Sequence, residues 1–212
     1  MESTERKVAK ALLDIKAVML SPDKPFKWAS GWLSPIYCDN RKILSCPELR
    51  DNVCRWMADN IIERYPDVEV IAGVATGAIA HGALIAYMLK KPFVYVRPKP
   101  KDHGTGSQIE GMLPEGAKVV VVEDLISTGA SSLSAVDALV KAGAYVKGMV
   151  AIFSYNFNQS RRAFENADVE LNTLTNYDTL IDVASQTGYI NASDMGLLKE
   201  WRFSPSTWGK NE

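Results

Sequence analysis

Glu123 and Asp124 stand side by side at the end of the run KVVVVED, and Leu125, Ile126, Ser127, Thr128, Gly129, Ala130 and Ser131 follow them. Two adjacent carboxylates can accept hydrogen bonds from hydroxyl groups or from the water shell of a divalent cation. A short loop of glycine and hydroxyl-bearing residues suits the opposite charge, because its backbone N–H groups and hydroxyls can wrap a phosphate at the start of a helix. The carboxylates would repel a bare phosphate, so the two halves must meet different parts of one ligand. A phosphorylated sugar satisfies both, with its hydroxyl face toward the acidic pair and its phosphate in the loop. The plainer reading gives the pair only the task of ending a strand and capping a turn.

Two other segments carry chemistry. In VRPKPKDHGTGSQIEG, residues 96–111, Arg97, Lys99, Lys101 and His103 fall within seven positions and glycines follow at 104, 106 and 111. That composition predicts a mobile basic loop, which could hold a small anion or simply be solvated. In GVATGAIAHG, the small residues Ala75, Thr76, Gly77 and Ala78 separate a strand-like run from a helical one. No GxxxxGK[ST] is present and no GxGxxG follows a strand, so neither a P-loop triphosphatase nor a dinucleotide-binding protein is indicated. The only histidines are His81 and His103, too few for a histidine metal site or a hydrolase triad, and His81 sits in an apolar helical pattern that makes it structural. Cys38, Cys46 and Cys54 have no metal-site spacing and are odd in number, so they are read as incidental thiols.

The elements that must position these residues follow from periodicity. From Pro66 onward, short β-branched runs (VEVIAGVA, FVYVR, AKVVVVED, VKGMVAIFSY) alternate with helical segments of 10–15 residues, and the pattern continues more weakly through VELNTLT and YDTLIDVASQTG to a last helix around ASDMGLLKEWRF. Apolar runs without polar alternation belong to strands covered on both faces, so the core is a parallel α/β sheet. In such sheets ligands bind beyond the carboxyl ends of the strands, where the acidic pair stands. Ahead of it, Val8, Leu12, Ile15 and Met19 predict a first helix over about residues 4–20, and Pro47 opens a second through Tyr65 with Leu49, Val53, Trp56, Met57 and Ile61 on its apolar face. Between them, about residues 21–46 mix Pro, Gly, Ser and aromatics without period and predict an irregular flap with short strands. The length of 212 residues suits one domain, no apolar run approaches the span of a membrane helix, and the N-terminus lacks a signal-peptide core, which reads as a cytoplasmic protein. A net charge of -1 gives no general attraction to nucleic acid or acidic membranes.

VVVVEDLISTGAS resembles the phosphoribosyl pyrophosphate (PRPP) motif of the type I phosphoribosyltransferases, and RxKxKxHG with its glycines resembles the catalytic loop of the orotate phosphoribosyltransferases in particular. The resemblance implies an α/β fold with a central mostly parallel sheet flanked by helices, a small N-terminal hood formed by about residues 21–46 and a core over about 66–185, all within one domain spanning 1–212. By position it gives the ribose hydroxyls to Glu123 and Asp124, and the 5-phosphate to the loop from Ser127 to Ser131, within a PRPP motif that also takes in Leu125 and Ile126. Ala75, Thr76 and Gly77 match the pyrophosphate loop, although some orotate enzymes carry lysine where this chain has Gly77. Arg97, Lys101 and His103 match PRPP contacts that serve the partner's site in a homodimer, with Lys101 placed to stabilise the leaving pyrophosphate. Asp124, Lys101 and His103 are the implied catalytic residues, and magnesium is implied as a cofactor carried by PRPP and water rather than by a protein metal site.

PFKWASGWLSPIYCDNR, residues 25–41, resembles the orotate enzymes' hood through Ser30, Gly31, Ser34, Pro35 and Tyr37. Ala29 and Tyr155 stand where some members carry a lysine and an arginine, which implies that backbone amides and Ser127 hold the orotate instead. Trp28 and Trp32 are read first as hood packing. The function implied is transfer of phosphoribosyl from PRPP to orotate in pyrimidine biosynthesis. Its rivals are a purine-type phosphoribosyltransferase, which would carry other base-binding elements, and a PRPP-sensing regulator, which would need a DNA-reading element not visible in the chain.

Overall fold

A computed structural model describes residues 2–28, 30–99 and 107–209; Lys101 and His103 therefore lie outside the described residues, as does Ala29. Helix α1 (Thr4–Asp14) is capped by the Ser3 side chain, which accepts from Arg6 N, and it buries Val8, Ala9, Leu12 and Leu13. It ends sooner than the apolar spacing predicts. Lys16 takes a positive φ of 54° and the chain turns into β1 (Val18–Leu20), so Met19 becomes a strand residue facing Tyr37. Strand pairing with β4 (Ile36–Cys38) overrides the helical period here.

The flap consists of a two-residue hairpin, β2 (Phe26–Lys27) against β3 (Leu33–Ser34), then β4 and a 3-10 helix over Asn40–Ser45 that the sequence reading did not include. Asp39 starts that helix by accepting from Arg41 N. Helix α2 (Pro47–Arg64) opens on its proline, whose missing N–H costs nothing in a first turn.

The core sheet runs through β5 (Val70–Val74), β6 (Phe93–Val96), β7 (Ile109–Glu110), β8 (Lys118–Ile126), β9 (Tyr145–Ser154) and β10 (Leu171–Asn176). Their spatial order is β10-β9-β8-β5-β6-β7, and every neighbouring pair is parallel except the edge pair β6–β7. Helices α3 (Ile79–Leu89), α4 (Ala130–Lys141), α5 (Asn158–Asn166), α6 (Tyr177–Gln186) and α7 (Asp194–Phe203) complete the chain. The valines of β8 show why the run lacks polar alternation: Val120 and Val122 pack with α2 and the hood side, whereas Val119 and Val121 pack with α4. All four are fully buried. Beyond the core, the buried Trp201 of α7 donates its indole N–H to the Leu33 carbonyl at 3.1 Å, so the C-terminal helix holds the hood hairpin in place.

Candidate active site

The pleat of β8 sends the two adjacent carboxylates to different surroundings. Glu123 lies on the α4 side, only 5% exposed, where its Oε2 accepts from the Ser132 hydroxyl at 2.9 Å and its Oε1 accepts from Asp124 N at 3.0 Å. Asp124 is half-buried and turns toward the β5–α3 turn, close enough that a Cβ placed on Gly77 would run into its carboxylate. Burial raises the pKa of both groups. Glu123 is pushed well above the usual carboxylate range, first by burial and then by the neighbouring Asp124 charge. Asp124 rises through burial too, but its interaction with Glu123 and the Arg41 charge pull it back. Both carboxyls are thus shifted toward the neutral acid by burial, and Asp124 is the less buried of the two where they meet the open space.

That space is a cavity of about 290 Å3 bounded by Ala75, Thr76 and Gly77 on one side, Asp124 on its floor, and Ser127, Thr128, Gly129 and Ser131 on the other. The Ala75–Thr76 peptide bond is cis. Gly129 is the N-terminal cap residue of α4 at φ 85°, and a Cβ there would meet Phe164 Cε2 at 2.9 Å, so this turn requires glycine. No side chain caps α4. Its first amides, with the hydroxyls of Ser127, Thr128 and Ser131, form a cradle suited to a phosphate. Arg97 lies at the end of β6, its backbone paired with Gln108 O at 2.9 Å, and lines a smaller cavity of about 100 Å3 with Ala75 and Ser131 of its own chain.

A second cavity, of about 430 Å3, opens between the hood and the end of β8. Lys27, Trp28, Trp32, Tyr37 and Cys38 form its hood wall, while Leu125, Ser127, Thr128 and Tyr155 form the other. Leu125, Ser127 and Thr128 line both cavities, so the two meet along that segment. Asn40 ties the walls together: 1% exposed, it donates from Nδ2 to the Asp124 carbonyl at 2.6 Å.

The phosphoribosyl transferase domain family model matches residues 40–185. The chain is 53% identical to the orotate phosphoribosyltransferase of Porphyromonas gingivalis, covering 99% of this chain and 100% of that one. It is 56% identical to the Bacteroides thetaiotaomicron protein of the same name, covering 98% of each chain. The chain belongs to the orotate phosphoribosyltransferase family. Among solved structures, the orotate phosphoribosyltransferase from Aeropyrum pernix superposes with a TM-score of 0.75 at 28% identity, over 87% of this chain and 99% of that one.

Within this family's fold, Glu123, Asp124, Leu125, Ser127, Thr128, Gly129 and Ser131 line one cavity; Ile126 and Ala130 do not, Arg97 lines the neighbouring smaller one, and Lys101 and His103 lie outside the described residues. Leu125 and Ile126 finish β8 instead of belonging to the loop, and the Ile126 side chain is wholly in the core. Ala130 opens α4 exposed and does not line the cavity. Trp28 packs as expected, 5.1 Å from Tyr155 and 5.6 Å from Trp201 between ring centroids, with its indole N–H donated to the Ile36 carbonyl, yet it also walls the second cavity. Tyr155 is 2% exposed among Trp28, Phe157 and Trp201, so it contributes an aromatic surface where an arginine would have brought charge. Sequence reasoning missed Lys27, Cys38 and Asn40. Only the fold brings Asn40 beside Asp124, 84 positions away, and no local spacing signals that contact. His81 is fully buried, with Nδ1 3.8 Å from Cys54 Sγ and its pKa lowered to about 4 by burial, in keeping with a structural role.

Proposed function

We infer that this protein transfers the 5-phosphoribosyl group of PRPP to orotate, giving orotidine 5-phosphate and pyrophosphate in pyrimidine biosynthesis. The observation carrying this reading is the shared edge of the two cavities at Leu125, Ser127 and Thr128. A ribose over Asp124 with its phosphate at Ser127–Ser131 would present its anomeric carbon to a base held under the hood. Ser127 lines both spaces and is placed to donate to orotate as well as to phosphate.

In the transfer, the bond from the anomeric carbon to pyrophosphate breaks, the new bond to the orotate ring nitrogen forms as that nitrogen gives up its proton to the departing pyrophosphate or to water, and positive charge builds on the ribose ring. Asp124 carries the negative charge that favours that ring, and its carboxylate accepts from a ribose hydroxyl. Glu123 acts behind it, holding the Ser132 hydroxyl and the Asp124 N–H in place. Amides of Thr76 and Gly77 would face the leaving diphosphate, with the Ala75 N–H already given to the Val96 carbonyl at 2.9 Å, and Lys101, His103 and Arg97 would add the cations that stabilise its growing charge. Closure of the basic loop would keep water from PRPP.

Among the described residues no group of three or more His, Cys, Asp or Glu is arranged to grip an ion, and both oxygens of Glu123 are already engaged. Magnesium thus fits as an ion held by PRPP and water oxygens, where it would neutralise diphosphate charge as the bond breaks. The protein is inferred to act in the cytoplasm; no helix among the described residues is long and apolar enough to cross a membrane.

We further infer a homodimer in which Lys101 and His103 serve the partner's site. Tyr87, 83% exposed on α3, and Ile62, 41% exposed on the neighbouring α2, supply apolar surface for such a contact. Mixing Lys101→Ala with Asp124→Asn subunits should regenerate one intact site per heterodimer, and no recovered activity would contradict shared sites. The function itself is tested by following orotate absorbance with PRPP and magnesium, then substituting adenine, hypoxanthine or uracil. Orotate should be consumed and the others left; consumption of a purine with orotate untouched would replace this reading with the purine-type one.

A further inference from the structure

We propose that Lys27 recognises the carboxylate of the acceptor base, an assignment that rests on the reading of this protein as an orotate phosphoribosyltransferase. Orotate is a uracil ring bearing one carboxylate, so a site that prefers it over neutral bases needs a positive group at the cavity that takes the ring. Ten residues line the cavity under the hood, and Lys27 is the charged one among them. Burial, together with the charges of Asp124 and Asp39, pushes the Cys38 thiol well above its ordinary pKa, so it enters as a neutral wall. The remaining lining is aromatic, aliphatic or hydroxyl-bearing.

Of the other cations of the hood segment, Lys24 does not line this cavity and the remaining two already have partners. Arg41 is held by Asp39 through Nε at 2.7 Å and a second nitrogen at 3.0 Å, and Lys42 Nζ donates to the Lys16 carbonyl at 2.8 Å. The Lys27 ammonium makes no ion pair or side-chain hydrogen bond with any described residue. Its backbone is nevertheless fixed. Lys27 stands opposite Leu33 in the β2–β3 hairpin, whose position is set by the Trp201 indole donating to the Leu33 carbonyl at 3.1 Å. The neighbouring Trp28 donates to the Ile36 carbonyl at the same distance, 3.1 Å. An anchored strand thus places Lys27, without a side-chain partner among the described residues, in the wall of a largely apolar cavity within reach of its flexible stem.

Such a charge discriminates by what it does with each ligand. A carboxylate laid against it gains a charge-assisted hydrogen bond, whereas a neutral ring gains nothing from it. The gain is moderate because Lys27 is exposed and hydrated in the absence of ligand.

The test compares Lys27→Met and Lys27→Arg with the unaltered enzyme, measuring orotate KM and kcat, PRPP KM, and inhibition by uracil, the same ring without the carboxylate. Lys27→Met should raise orotate KM about tenfold while changing kcat, PRPP KM and uracil inhibition by less than about twofold. Lys27→Arg should restore most of the orotate KM. An unchanged orotate KM in Lys27→Met overturns the assignment, and so does equal weakening of orotate and uracil, which would mean Lys27 only shapes the hood. If the unaltered enzyme consumes no orotate, the functional reading itself fails, and that result needs no variant to be seen.

Discussion

The two ends of the site are built in opposite ways. The donor end is a single stretch of chain: β8 delivers Glu123 and Asp124, and the turn into α4 supplies Ser127, Thr128, Gly129 and Ser131 within the next few residues. In the lining of that cavity, the end of β5 and the turn into α3 are what has to be brought to it from elsewhere. The acceptor end is assembled from the hood at Lys27–Cys38, the end of β8 and Tyr155 after β9, and it is braced from behind by Trp201 of the C-terminal helix. A phosphate and a ribose diol can be recognised by one strand, one loop and one helix start. A planar base needs a chamber with walls on several sides, which separate elements must supply.

That contrast predicts where damage should appear. Trp201 is fully buried against Trp28, Tyr155, Phe157 and Tyr177, so Trp201→Ala should cost about 3–5 kcal/mol of stability by denaturant unfolding. In the surviving folded enzyme, orotate KM should rise more than PRPP KM; an equal rise in both would mean that the two ends are not separately supported. Asp124→Asn acts on the donor end alone and should lower kcat by about 100- to 1,000-fold with orotate KM little changed in steady-state assays.

The smallest effect is expected at Glu123. Its folded-state pKa is raised, so the folded protein holds this proton more tightly than the unfolded chain does, and the associated stability is lost as pH climbs upward from the ordinary carboxylate value. Glu123→Gln removes that loss. Its melting temperature relative to the unaltered protein should therefore improve by about 2–4 °C more at pH 8 than at pH 4, equivalent to about 1 kcal/mol. A pH-independent difference would place the proton elsewhere.

The same contrast explains what could be read from the chain before folding. The β8–α4 segment keeps its chemistry contiguous, so strand, acidic pair and loop were all legible, as was the alternation that makes the sheet parallel. The strand's two-residue extension through Ile126 was not, because the loop chemistry of Ser127 to Ser131 suggested an earlier end. The different fates of the acidic pair were also hidden: two neighbouring letters become a buried, hydrogen-bonded Glu123 and a cavity-facing Asp124 only when α4 brings Ser132 across. Gly77 looked like a missing lysine, and the fold gives a reason for the glycine, since the Asp124 carboxylate occupies the room a side chain would need. At the acceptor end, Trp28 and Tyr155 are 127 positions apart by number and 5.1 Å apart by ring centroid, a meeting no local spacing encodes. Lys27 has no local signal for the same reason: in sequence it is one lysine between Phe26 and Trp28 in an aperiodic flap, and its meaning comes from the wall it completes.

A crystal structure of the protein with orotidine 5-phosphate tests the two-ended site most directly. The account predicts the phosphate on the amides and hydroxyls of Ser127 to Ser131, the ribose hydroxyls at Asp124, and the base under the hood with its carboxylate at Lys27. A base lodged between Ala75 and Gly77, or a phosphate bound under the hood, would contradict it.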